Sequence, residues 1–326
     1  MKITVLGAGA WGTALARMLA KRNHRVVLWD FFPETVEAIR KTGRNERYLP
    51  GIELPAGLQA EADANKAVAD AELVVVASVS KAFRGVTKVL GDFNGIVVSV
   101  AKGLEFETGD TMTDILKETT PRARIVAMSG PTLAMEVARG VPTAIVAASA
   151  DAAAAQTVQV LFHSPAFRVY TSNDVHGVEL GGALKNVIAI GAGVCDGIGF
   201  GDNSKAALVT RAVAEMRRLG VACGAQAETF TGLSGLGDLM VTCFSKLSRN
   251  RGFGERLGRG EKAEAIVASM VAVAEGYPTA RAARELARKR KVVTPVMDEV
   301  YAMLYEGKDV RQAVQDLTAR ESKAED

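Results

Sequence analysis

Lys185 is the only charged side chain between residues 180 and 195, in the run Gly181-Gly182-Ala183-Leu184-Lys185-Asn186-Val187-Ile188. An ammonium on so apolar a stretch is costly unless it has a partner or a task. Reduction of a ketone would be such a task. An alkoxide develops as hydride arrives, and a nearby ammonium both stabilises that charge and supplies the proton. The plainer reading is a lysine whose stem snorkels to the surface; Asn186 beside it and the small residues before it favour a site. A second constellation follows in Ser234-Gly235-Leu236-Gly237-Asp238-Leu239, Thr242-Cys243 and Ser248-Arg249-Asn250-Arg251. Ser248 fits a helix N-cap with Arg249 and Asn250 in the first turn. That is either an ordinary capped surface helix or an anion site where Arg249 grips a phosphate. Two more polar turns, Lys102-Gly103 and Ser129-Gly130-Pro131-Thr132, directly follow apolar runs. The histidines His24, His163 and His176 have no setting that suggests proton transfer, and His176 reads as structural.

Something must hold these groups in place, and the first half of the chain supplies it. Short Val- and Ile-rich runs at 3–6, 26–29, 73–77, 96–100, 125–128 and 144–148 are mostly unalternating, as strands buried on both faces of a parallel sheet are. Between the first few lie helical patterns such as 13–22 and 34–42, and Asp151 starts another. Strand-helix-strand repetition predicts an α/β fold, a doubly wound (Rossmann-type) N-terminal domain over 1–172. From 174 the strand pattern stops, which predicts an all-helical domain over 173–326. The first turn reads Gly7-Ala8-Gly9-Ala10-Trp11-Gly12 between a strand and a helix expected near Thr13. In that context the glycines serve the tight turn, the backbone's approach to a pyrophosphate and the packing of helix on strand. Asp30 ends the second strand, where an acid can bind ribose hydroxyls. Lys102 and Gly130 then fall at carboxyl ends of strands, where open α/β sheets bind ligands.

Composition narrows the class. Of 326 residues 48% are apolar, enough for two cores, and 40 basic against 37 acidic residues leave a net charge of only +3, spread along the chain. A nucleic-acid partner would show as a clustered basic face, so none is expected. Cys195, Cys223 and Cys243 are spaced for neither a disulfide framework nor zinc, which points to a reducing, cytoplasmic setting. No membrane span or leader peptide is expected, and the charged tail 319–326 reads as loosely attached.

In order along residues 2–315, the segments GAGAWGTALA, NERYLPG, AKGLE, SGPTLAMEVARG, GVELGGALKNVIAIGAG, SGLGDLMVTC, SRNRGFG and VAEGYPT resemble the bacterial NAD(P)-dependent glycerol-3-phosphate dehydrogenase family. The first segment is shared by most nucleotide-binding dehydrogenases; the last four are specific to this family. The resemblance implies reversible reduction of dihydroxyacetone phosphate to sn-glycerol 3-phosphate, a phospholipid precursor, by a metal-free homodimer. It implies that Lys185 is the general acid and that Lys102 touches both substrate and cofactor. Substrate contacts are carried over to Gly130, Thr132, Asp238, Ser248, Arg249 and Asn250. Cofactor contacts fall on Gly7, Gly9, Ala10, Trp11, Gly12, Asp30, Phe31, Tyr48, Ala134, Arg249, Val273 and Glu275.

Two positions depart from the family. Leu133 stands where phenylalanine is usual, a swap that alters packing more than chemistry. Asp30-Phe31-Phe32 occupies a segment where many members carry His or Arg, which removes the expected cation for a 2′-phosphate. NAD is therefore the expected cofactor, with NADP as the alternative. Two rivals stay open on residues alone: a lysine-using hydroxyacid dehydrogenase and a nucleotide-sensing protein without turnover.

Overall fold

The computed structural model describes residues 1–321 and 324. Eight strands form one sheet: β1 (Lys2–Leu6), β2 (Arg25–Trp29), β3 (Leu58–Glu61), β4 (Leu73–Val76), β5 (Ile96–Ser99), β6 (Arg124–Ser129), β7 (Thr143–Ala148) and β8 (Phe167–Ser172). Their order is β3-β2-β1-β4-β5-β6-β7-β8. All neighbours run parallel except β6 and β7, which pair antiparallel through Met128 and Ala147. Val5 lies between Leu28 and Val75, and the order in which strands are added reverses between β1 and β4. A crevice opens at the carboxyl ends of strands at such a reversal. The unalternating runs have a simple cause: Val75 faces one apolar layer while Val74 and Val76 face the other.

The helices between and beside the strands are α1 (Ala10–Lys21), α2 (Pro33–Thr42), α3 (Ala64–Val68), α4 (Ser80–Thr87), α5 (Met112–Thr119), α6 (Ala134–Arg139) and α7 (Ala152–Phe162). The Asp151 carboxylate caps α7, accepting from Ala153 and Ala154 N–H. Then follow α8 (Val175–Gly197), α9 (Asp202–Ala222), α10 (Asp238–Phe244), α11 (Arg249–Gly258), α12 (Ala263–Ser269), α13 (Gly276–Arg290), α14 (Pro295–Tyr305) and α15 (Val310–Thr318). The second core gathers around α8, from Leu180 to Val194. By length and composition α8 could cross a membrane, but its apolar stretch is buried inside the molecule.

Three expectations change. The first helix starts at Ala10, inside the glycine turn and ahead of Thr13, so Gly12 is already helical. A Cβ on Gly12 would lie 1.9 Å from the Gly7 carbonyl oxygen, and Gly7 itself sits at φ +112°. The edge strands β3 and β8 had no strand signal assigned. β3 is four residues with no buried side chain, and β8 alternates buried and exposed positions as a half-covered edge does. The sheet is not wholly parallel. The tail expectation falls outside the described residues from 322 onward, residue 324 apart.

Candidate active site

The carboxylate of Asp238, at the start of α10, lies between two ammonium groups. Its Oδ1 is 3.0 Å from Lys185 Nζ and its Oδ2 2.7 Å from Lys102 Nζ. Lys102 follows β5 and also donates to the Gly130 carbonyl at 2.7 Å and to Thr132 Oγ1 at 3.0 Å, in the turn after β6. An ammonium has three protons. Lys102 has engaged all of them.

Lys185 is different. It is 6% exposed on α8, in the middle of the helical core. Besides Asp238 it donates only to Thr242 Oγ1, at 2.7 Å, one helical turn beyond Asp238. The Thr242 hydroxyl donates to the Asp238 carbonyl at 2.6 Å, so its oxygen is fixed as an acceptor towards Lys185. One Lys185 proton has no acceptor among the described residues. Burial pulls its pKa down to about 8, against the opposing charge of Asp238. No snorkelling occurs.

A row of amides ties this group to the sheet. Asn186 Nδ2 donates to the Lys102 carbonyl at 3.0 Å, and its Oδ1 accepts from Asn250 Nδ2 at 2.8 Å. Asn250 Oδ1 in turn accepts from Gly276 N–H at 2.9 Å. Asn250 therefore has its carbonyl and one N–H engaged within the protein. Ser248 Oγ caps α11, accepting from Arg251 N–H at 3.2 Å. Beside it Arg249 reaches solvent and hydrogen-bonds to no described residue; desolvation in the crevice pulls its pKa down, and the charge of Glu275 opposes that shift. The apposition of α8 and α11 depends on glycine: a Cβ on Gly254 would lie 1.9 Å from the Ile190 carbonyl oxygen.

The crevice beside this group fits a dinucleotide. No side chain caps the N-terminus of α1, whose first N–H groups face out of the glycine turn as an anion site. A Cβ on Gly9 would meet nothing within 4 Å, so there is room in front of the turn. The Trp11 Nε1 and Ser78 Oγ atoms are buried without partners. Trp11 and Ala134 pack against one small cluster containing Ala14, Leu49 and Ala138. Glu275 closes the far side: it accepts from Ser80 Oγ at 2.6 Å and Ser80 N–H at 3.1 Å, at the start of α4. Burial pushes the Glu275 carboxyl up, while the two Ser80 bonds oppose the shift. Phe31 and Val273 are exposed and Tyr48 is half-buried.

Asp30 directly follows β2. It is 7% exposed, with Oδ2 accepting from Ala8 N–H at 2.7 Å and Oδ1 from Phe32 N–H at 3.0 Å. Its carboxylate fastens the glycine turn to the end of β2, and only second lone pairs remain for a ribose. Sequence reasoning assigned no role to Thr242, Ser80, Asn45 or Arg47. Asn45 Nδ2 donates to the Ala8 carbonyl at 2.7 Å and to Thr13 Oγ1 at 2.8 Å, which fixes the 43–50 loop on the glycine turn. The spacing of Asp238 and Thr242, four residues apart on one helix, could have revealed Thr242. The other three act across distances that no local pattern encodes. Cys243 lies near the lysines but is fully buried, which pushes its thiol up to about 12.

Comparison with known proteins agrees with this geometry. Residues 2–155 match the family model for the NAD-dependent glycerol-3-phosphate dehydrogenase N-terminus, and residues 174–315 match that for its C-terminus. Glycerol-3-phosphate dehydrogenase [NAD(P)+] of Syntrophotalea carbinolica is 47% identical over all of this chain and 99% of its own length. The enzyme of the same name from Trichlorobacter lovleyi is 49% identical at the same coverage. The crystal structure of glycerol-3-phosphate dehydrogenase from Coxiella burnetii superposes with a TM-score of 0.95 at 36% identity, covering 98% of this chain and 99% of that one. The chain belongs to the NAD-dependent glycerol-3-phosphate dehydrogenase family.

Proposed function

We propose that this enzyme reduces dihydroxyacetone phosphate reversibly to sn-glycerol 3-phosphate, with Lys185 as the proton donor and, in reverse, the acceptor. The observation that carries the reading is the unequal state of the two lysines on Asp238. Lys102 has no free proton, whereas Lys185 has one and is held by Asp238 and Thr242. The bound nicotinamide nucleotide supplies or takes up the hydride. As the carbonyl oxygen becomes an alkoxide, Lys185 neutralises it and transfers a proton, and Asp238 stabilises the ammonium. Lys102 holds Asp238 and the Gly130–Thr132 turn in register, and meets a substrate only by exchanging one of its present acceptors. Arg249, with no hydrogen bond or ion pair within 4 Å among the described residues, is the group placed to take the substrate phosphate at the start of α11, with the capped helix end adding its dipole.

Residues 1–172 form the nucleotide-binding part and 173–326 the part that supplies Lys185, Asp238 and Arg249. NADH is the favoured cofactor, supported by the Asp30 charge beside the ribose position, which opposes a 2′-phosphate by about 1–3 kcal/mol. A cytoplasmic homodimer serving phospholipid synthesis accords with the family resemblance. The test is oxidation of NADH or NADPH with dihydroxyacetone phosphate, a β-keto acid, or neither. Turnover confined to dihydroxyacetone phosphate is expected. Preference for the β-keto acid, or nucleotide binding without turnover, would refute the reading.

A further inference from the structure

Phe31 and Phe32 offer no cation to a 2′-phosphate, but the fold brings one from elsewhere. Arg47 lies in the 43–50 loop, which Asn45 fastens to the Ala8 carbonyl and Leu49 anchors in the core beside Ala14. Its guanidinium carbon is 5.9 Å from the centre of the Phe32 ring and 5.2 Å from that of Tyr48. The guanidinium thus sits at the carboxyl end of β2, next to the residue after Phe31 and two beyond Asp30. An aromatic bracket of this kind preorganises the planar fork. Its only ion-pair contact among the described residues is Glu34, at 4.0 Å, with both side chains half-exposed. Such a pair is weak and readily exchanged. Neighbouring cations are otherwise engaged or face away. Arg44 binds Glu53 at 2.5 Å, Arg40 donates to the Ala60 carbonyl at 2.9 Å, and Arg25 is at the opposite end of β2.

We propose that Arg47 is the specificity residue that admits the 2′-phosphate of NADP, set against the Asp30 carboxylate at the same ribose. The inference rests on the reading of the β1–β4 crevice as a dinucleotide site. With a pyrophosphate at the α1 N-terminus, the adenosine half extends past the end of β2. There its 2′-substituent lies between Asp30, which repels a phosphate, and Arg47, which binds it. The balance of these two residues makes the enzyme one that accepts either nucleotide. Mutating Asp30 cannot isolate this effect, because Asp30 also accepts the Ala8 and Phe32 N–H groups. Arg47 is exposed and carries no fold-defining bond, so it can.

The experiment is calorimetric titration of the full-length protein with adenosine 2′,5′-bisphosphate and with 5′-AMP, which need no turnover. Arg47→Gln is expected to weaken the bisphosphate by about 10- to 100-fold, the range of a charge-assisted contact, and 5′-AMP by less than about 3-fold. Arg47→Lys should fall between, since it keeps charge without the fork. The kcat/KM ratio of NADPH to NADH should drop by the same factor as the bisphosphate affinity. If both probes bind the unmutated protein and Arg47→Gln weakens them equally, or neither, the Arg47 assignment is wrong while the dinucleotide site stands. If neither probe binds the unmutated protein, the dinucleotide reading and this inference fall together.

Discussion

Lys102 and Lys185 flank the same Asp238 carboxylate, yet of the two only Lys185 keeps a proton without an acceptor among the described residues. Its depressed pKa, about 8 through burial, fixes the sign of the pH dependence. Ketone reduction needs the ammonium, so its kcat/KM should hold below about pH 8 and fall above it. Alcohol oxidation needs the free amine and should gain over the same interval. Lys185→Met should lower kcat by about 10²- to 10⁴-fold and remove that limb from the profile. A lowered folded pKa also means that the ammonium costs stability at neutral pH, a cost that disappears as pH rises from about 8 towards the unfolded value. Because Asp238 retains Lys102, the methionine variant leaves no orphan carboxylate and should melt at the same temperature or higher. A variant that keeps more than about a tenth of kcat with the pH limb intact would remove Lys185 from the proton transfer. At Arg249 the fork matters more than the charge. Arg249→Lys should raise KM for dihydroxyacetone phosphate about 10-fold or more while leaving turnover of phosphate-free dihydroxyacetone as poor as before. Equal kinetics with and without the phosphate would place the anion site elsewhere.

At the scale of elements, sequence pattern was most legible where burial was complete. The central strands showed as unbroken Val and Ile runs because both faces of β1, β4 and β5 are covered. β3 and β8 escaped because an edge strand needs only a half-covered or polar surface, which looks like loop in one dimension. The α8 helix was legible as an apolar run. That it crosses α11 through glycines on both helices, Gly193 and Gly197 against Gly254 and Gly258, was not, since a glycine does not name the helix it packs against. This crossing sets the distance between Lys185 on α8 and Arg249 on α11. A methyl group on Gly254 would be 1.9 Å from the Ile190 carbonyl oxygen, whereas one on Gly252, in the same helix, would meet nothing within 4 Å. Gly254→Ala should therefore lower stability by about 1–3 kcal/mol and raise KM for the phosphate substrate as the helices part. Gly252→Ala, gaining only helix propensity, should be stabilising by about 0.5–1 kcal/mol. Urea unfolding of the pair checks both, and similar losses from both would mean that α11 tolerates no side chain for some reason other than this contact.

Across the whole molecule the site exists only because the sheet and the helical core meet. Lys102 and Asp238 are 136 residues apart in sequence, and Asn186 and Lys102 are 84 apart. Residue types at these positions were readable one by one, with family motifs supplying their grouping. Who bonds to whom was not, because no local spacing encodes a contact between a loop after β5 and the middle of α8. The row Lys102 carbonyl–Asn186–Asn250–Gly276 N–H is the clearest case: it runs from the sheet through α8 and α11 to the start of α13. Each amide is both donor and acceptor, so removal of one leaves its two neighbours with buried unmet groups, at about 1–3 kcal/mol each. Asn186→Ala should thus destabilise the protein measurably, and should lower kcat/KM for dihydroxyacetone phosphate by about 10- to 100-fold as Lys102 and Arg249 lose their common reference. The sharper test is a double-mutant cycle with Asn250→Ala. Once the row is cut at Asn186, Asn250→Ala frees the Gly276 N–H but also removes the Asn250 Nδ2 that the first cut had left unmet, so the number of unmet groups does not grow. The double variant should then lie within about 0.5 kcal/mol of the worse single variant in urea unfolding. Fully additive losses would show that the two asparagines stabilise their own helices independently, and that the row is no mechanical link between sheet and helical core.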